Sequence, residues 1–167
     1  MKAIWMGLGI VLTSVVSCQK TEQISEFTGN QVVYALQPGS SYAVSGTVTL
    51  KEKNDGSTLV LVELTGTSGT DKYPVHLHLG DLGVTGAPVA ALLTPLTGSI
   101  GKSETTVSQL ADETKVTYND LIKLKASIKV HLADSGPSRD VILAAGNIGA
   151  AVTSPNGRMA VGICGSN

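Results

Sequence analysis

Apolar and polar side chains alternate over residues 41–50, SYAVSGTVTL. Apolar residues occupy even positions and polar residues lie between them, which is the two-residue period of a half-buried strand; the apolar positions are Tyr42, Val44, Val48 and Leu50. The next segment, KEKNDGS, contains Asn-Asp-Gly, whose residues tolerate a left-handed backbone. TLVLVELTG then resumes the apolar run, so the pattern predicts a β-hairpin.

Five more short apolar runs follow, separated by Gly, Pro, Ser and Asp: YPVHLHLG, APVAALL, ASIKVHLA, DVILAAG and GRMAVGICG. Many short strands at this spacing are typical of a β-sandwich or barrel. One helix is predicted from Thr117 to about Leu124, because Thr117 and Asp120 have capping-box spacing ahead of an apolar group. The predicted fold is therefore all-β with one short connecting helix.

The first residues predict an export signal. Lys2 precedes an apolar block, Ala3 to Val16, that is too short to span a membrane, and VVSC resembles the bacterial lipoprotein signal, in which the Cys is lipidated. The alternative is a plain secreted protein in which Cys18 stands by chance. We expect residues 1–17 to be a signal peptide, 18–30 a lipidated Cys18 with a flexible tether, and 31–167 one domain, anchored by lipid to a membrane of the bacterial cell envelope.

Charge and cysteine content narrow the function further. The net charge is −1 and no block of basic residues is present, so nucleic-acid binding is not expected. If Cys18 carries lipid, Cys164 is the only other cysteine and no internal disulfide can form. Cys164 is most simply a buried small apolar residue, because no second thiol lies near it for a metal or redox site.

The chain contains three histidines, and all three lie on the polar sides of predicted strands. His76 and His78 share one face of their strand, while the apolar residues between and beside them face the other way. His131 stands with Lys129 on the polar face of SIKVHL. Two imidazoles at i and i+2, joined by a third from a neighbouring strand, predict a three-nitrogen metal site with one open position, suited to copper or zinc. The alternative is that the pair is simply polar surface.

The mature segment resembles the copper/zinc superoxide dismutase superfamily. The resemblance rests on SGTVTLKEKNDGSTLVLVELTG, VHLHLGD, IKVHLAD and GNIG…GRMAVGICG, in the family's order over residues 41–165. It implies a Greek-key, immunoglobulin-like β-sandwich or flattened barrel, copper held by His76, His78 and His131, and a homodimer. It also implies that Arg158 lies beside the copper and attracts superoxide; a solvated charge at a strand end is the alternative for that residue.

The chain departs from the dismutase pattern at several places. It has no histidine between His78 and His131, so the copper–zinc bridging histidine is missing and no zinc site is expected. The family's last cysteine falls at Val161, so the structural disulfide is missing too. Any dismutation would be slow, because its protons would have to come from water. Asp81 and Asp134 are candidates to orient the ligand imidazoles.

A second resemblance is to the bacterial chordin-type (CHRD) domains. It rests on PVHLHLGDLGVTGAPVAALLTPLTG, TYNDLI and KVHLADS…VILAAGNIG. It implies a non-catalytic binding or structural module at the cell envelope, with histidines that are merely polar surface. A copper carrier, which would use the same three ligands without turnover, is a third reading that the sequence leaves open.

Overall fold

A computed structural model describes residues 25–153 and the backbone of residues 158–159. The predicted signal peptide, Cys18, Val161 and Cys164 lie outside the described residues. Within them the chain forms nine strands, one α-helix and one 3-10 helix. The strands are β1 (Phe27–Pro38), β2 (Ser45–Lys53), β3 (Thr58–Thr65), β4 (Lys72–Leu79), β5 (Val89–Thr97), β6 (Lys102–Val107), β7 (Lys125–His131), β8 (Ile142–Gly149) and β9 (Arg158–Met159); α1 is Tyr118–Leu121 and the 3-10 helix is Pro137–Asp140.

Eight strands close into an antiparallel barrel. Their hydrogen-bonded order is β2-β3-β6-β5-β4-β7-β8-β1, and β1 also pairs with β2, which completes the circle. Strands β4, β5 and β6 follow one another as neighbours and β7 returns to lie beside β4, which is the Greek-key order. The short β9 pairs with β1, with the backbone of Arg158 opposite Tyr34. The predicted all-β fold is therefore confirmed, as one closed barrel.

The predicted hairpin and helix are both present, although α1 ends at Leu121 and does not continue to Leu124. β2 and β3 pair from Ser45↔Thr65 to Glu52↔Thr58, and Gly56 has a φ of 85° in the turn between them. Thr117 caps α1 with both bonds of a capping box, because its hydroxyl accepts from the Asp120 N–H while the Asp120 carboxylate accepts from the Thr117 N–H. Within the described residues, no helix has the length and apolar character needed to cross a lipid bilayer.

The barrel interior is filled by the apolar faces of its strands. The alternation that predicted β2, β4 and β7 holds in the structure: their inward side chains are at most 2% exposed, namely Val48, Leu50, Val75, Leu77, Ile128 and Val130. Tyr42 differs from the pattern, because β2 begins three residues later and its side chain is 55% exposed. Closing the barrel removes the free sheet edges, so every strand of the wall has a partner on each side.

Two strands were not predicted from the sequence. β1 begins at Phe27, inside the segment 18–30 for which we expected a tether, and it is the strand that closes the barrel. β6, KSETTV, has a single apolar residue, Val107, yet it fills the gap between β3 and β5. Its buried Ser103 meets its hydrogen-bonding need by donating to the carbonyl of Thr94.

Candidate metal centre

The three histidines converge on the outer face of the barrel wall. β4 and β7 are direct neighbours, with Val75 opposite Val130, so their polar faces lie side by side. His76 and His78 project outward from β4 and His131 projects outward from β7, while the residues between them point into the core. The sequence prediction that these three residues meet is therefore confirmed.

The ring nitrogens are close enough for one ion to contact all three. One ligand nitrogen from each of His76, His78 and His131 lies within 4.8 Å of the others, and the ring centroids are 4.7–6.1 Å apart. In the described part of the chain, this is the one group of three or more His, Cys, Asp or Glu side chains with such spacing.

Backbone carbonyls fix the tautomers of two rings. Nδ1 of His78 lies 2.9 Å from the Ala87 carbonyl oxygen, and Nδ1 of His131 lies 2.8 Å from that of Arg139. A carbonyl oxygen can only accept, so each Nδ1 must carry the proton and donate it. In the neutral ring, Nε2 is then an unprotonated acceptor, the form that binds a metal ion.

Both of these Nε2 atoms are buried and have no hydrogen-bond partner among the described residues. His78 and His131 are 7% and 9% exposed, so little of either residue faces solvent. A buried acceptor with no partner costs free energy and is uncommon in folded proteins. A positive ion held between the rings would satisfy both acceptors at once, which makes this arrangement the strongest sign of a metal centre in the described residues.

The orienting groups are not the two candidate carboxylates, Asp81 and Asp134. The Asp81 carboxylate pairs with Lys125 at 2.8 Å and accepts from the Gly83 N–H, and the Asp134 carboxylate accepts from the hydroxyl of Ser135. Neither carboxylate reaches a histidine, because each is bonded to residues of its own turn or, for Asp81, to Lys125. The loop over residues 80–88 and the 3-10 helix supply the carbonyls in their place.

A cavity of about 420 Å³ opens in front of the histidines. Its charged lining residues are Lys129, Arg139 and Asp140, so cations outnumber carboxylates two to one. Neither Lys129 nor Arg139 makes an ion pair with any described residue. Arg139 was not predicted from the sequence, because it lies in a 3-10 helix of four residues, which is too short to show a periodicity. Of Arg158 the structure describes only the backbone, so its role beside the site stays a prediction.

Burial and neighbouring charges lower the pKa of His76 and of His78. Burial lowers the pKa of His76 from the ordinary 6.5 to about 4, with further lowering from His131, His78 and Arg139. Burial also lowers the pKa of His78, helped by Lys129 and His131 and opposed by the bond to Ala87. Neutral imidazole is the ligand form, so protons compete less with a metal ion here than at an ordinary histidine.

No protein-family model, curated protein or solved structure matches this chain. The dismutase-like and CHRD-like readings therefore rest on the short motifs quoted above, and what the site does must be argued from its geometry.

The pKa of His76 gives a prediction for the metal-free protein. In an NMR titration of the chelator-treated chain, the His76 ring protons should titrate near pH 4, since burial opposes the charged form. Between pH 6.5 and 4 the unfolded chain binds a proton at this residue that the native chain does not, so the free energy of unfolding should fall as pH falls through that window. A midpoint near 6.5 would contradict the buried, charge-crowded site.

Proposed function

We propose that the chain is an envelope-anchored lipoprotein whose barrel domain binds one copper ion through His76, His78 and His131. The observation that supports it most is the pair of buried Nε2 acceptors, which have no partner in the described part of the chain and share a site with a third imidazole. The lipoprotein signal at Cys18 and the dismutase-like motifs support the location and the fold relationship.

The ligand set favours copper among the common metals. Three imidazoles suit both copper and zinc, and among divalent ions a given nitrogen site generally binds Cu²⁺ more tightly than Zn²⁺. Hard cations such as Mg²⁺ and Ca²⁺ prefer oxygen ligands, which this cluster does not provide. Three protein ligands also leave a coordination position free, as in catalytic rather than structural sites.

Weak superoxide dismutation is the activity that follows from such a copper site. The reaction needs a metal that cycles by one electron, an open position for the anion and positive charge to attract it. Lys129 and Arg139 line the cavity and supply that charge, and Arg158 remains a further candidate for this role. Without a bridging histidine, protons must come from water, so turnover should be slow.

A copper titration tests the proposal. The chain from Gln19 onward, which lacks the proposed lipidation site, should retain one copper per chain after dialysis and elemental analysis. A superoxide assay on the same sample then separates the readings that share these ligands: turnover supports a pared-down dismutase, and retained copper without turnover supports a carrier. Absence of retained copper would overturn the metal site and leave a CHRD-like, non-catalytic module.

A further inference from the structure

A second cavity lies beside the histidine cavity and has a different character. It measures about 310 Å³, and apolar residues at the end of β4, the start of β5 and the connection after β6 form its walls. Hydrogen bonds hold these segments together, since the Ala111 N–H donates to the Ala90 carbonyl at 2.7 Å. Apart from Asp112, its lining residues are Leu79, Pro88, Val89, Ala90, Leu110 and Ala111.

Three consecutive residues separate the two cavities. Ala87 lines the histidine cavity and Pro88 lines the apolar one, while Val89 lines both. The wall is fixed on each side, because the Ala87 carbonyl accepts from His78 and the Pro88 carbonyl accepts from the Leu79 N–H at 3.0 Å. Val89 is 37% exposed and is the one residue that lines both cavities. A ligand that occupied both cavities would have to cross this residue.

The two cavities differ in charge as well as in polarity. On the histidine side, Lys129 and Arg139 have no ion-pair partner in the described part of the chain, and Asp140 offsets only one of them. On the other side the surface is predominantly apolar. An unpaired cationic group beside an apolar cavity is complementary to a molecule with an anionic head and a hydrocarbon tail.

We propose that the two cavities form one groove that binds a single-chain aliphatic carboxylate. The carboxylate lies between Lys129 and Arg139 in front of the histidines, and the tail crosses Val89 into the apolar cavity. Each cavity is within the size range of small-molecule sites, and together they remain within it. The proposal does not require a bound metal, so it stands or falls separately from the copper site.

Calorimetric titration of the full chain, stripped of metal by a chelator, tests the groove with acetate, butanoate, hexanoate and octanoate. The association constant should rise by up to about three- to fourfold for each methylene that becomes buried, until the apolar cavity is full. Octanol and octylamine are the probes for the head group, and both should bind more weakly than octanoate because neither is attracted to two cations.

Substitutions separate the head from the tail. Val89→Asp should abolish the dependence on chain length, because it places a carboxylate on the path of the tail. Lys129→Gln and Arg139→Gln should each lower the association constant of every carboxylate by about three- to tenfold. The dependence of binding on chain length should remain in both variants. Leu92→Asp is the matched control, since Leu92 is 73% exposed on the same strand and lines neither cavity.

Several results would overturn the proposal. Equal affinity for acetate and octanoate would show that the apolar cavity does not bind the tail. Octanol that binds as tightly as octanoate would show that the two cations do not bind the head group. Loss of binding in Leu92→Asp equal to that in Val89→Asp would show a general effect of surface charge. If octanoate fails to bind while the chain from Gln19 onward, which lacks the proposed lipid anchor, sediments with phosphatidylglycerol vesicles, the surface faces a membrane and the groove is ruled out. Thermal melting of each variant ensures that the comparisons are made on folded protein.

Discussion

Copper affinity is expected to fall by at least about a hundredfold when His78 is replaced with asparagine. The side-chain amide of asparagine lies where Nδ1 of the imidazole does, so it can still donate to the Ala87 carbonyl and hold the 80–88 loop. It has no nitrogen at the Nε2 position, and the buried ligand atom is lost. Loss of an orienting partner alone typically costs about 10- to 100-fold in metal affinity, so loss of a ligand should cost at least the upper end of that range.

The measurement is a competition titration against a copper chelator of known affinity, repeated for His131→Asn. Arg139, the carbonyl partner of His131, lies on a different connection from Ala87, so equal losses in the two variants would point to the shared ion and not to one loop. Leu92→Asn is the control, because Leu92 is opposite His76 on β5 and is 73% exposed. Copper binding that survives in both histidine variants would place the ion elsewhere in the chain.

A second large effect is expected for Leu77→Ala, which should lower the free energy of unfolding by about 2–5 kcal/mol. Leu77 lies between His76 and His78 but points the other way, into the barrel core, where it is 2% exposed. Truncation removes apolar contacts and leaves a cavity. The closed barrel wall can relax only partly, so most of this cavity stays unfilled. Urea denaturation followed by circular dichroism measures the change.

Leu92→Ala removes the same atoms from the paired strand but on the outside. Its free energy of unfolding should change by no more than about 0.5 kcal/mol, since the side chain is already 73% exposed. Similar destabilisation in the two variants would show that the face assignment of β4 and β5 is wrong.

The candidate site could be predicted from the sequence because it depends mainly on which residues share a face of each strand. In a strand, alternate residues share a face, so the apolar neighbours of His76, His78 and His131 determine that the imidazoles lie outside the core. Adjacency of β4 and β7 was the one further condition, and the Greek-key order provides it. The helix cap at Thr117 was equally local, since its bonds involve residues three positions apart.

The features that escaped prediction depend on distant parts of the chain. β6 is almost wholly polar, and it becomes a strand because β3 and β5 leave a place in the barrel that only a hydrogen-bonding backbone can fill. β1 begins inside the polar segment for which we expected a tether, because its pairing with β2 closes the barrel wall. Arg139 and the carbonyls of two connections reach the histidines through loop geometry, which no residue spacing encodes.

The hydrogen bonds to Ala87 and Arg139 also bear on the reduction potential of a copper ion at this site. Carbonyl oxygens orient the rings without adding a negative charge, and imidazole is a neutral ligand. Two cationic side chains line the same cavity, and the single carboxylate of Asp140 offsets only one of them. A copper ion held there would keep most of its own charge, and Cu(I) would be favoured over Cu(II) because the lower-charged state would be repelled less. Such a centre would hold its electron more firmly than one whose histidines are backed by carboxylates, and would return it mainly to strong oxidants.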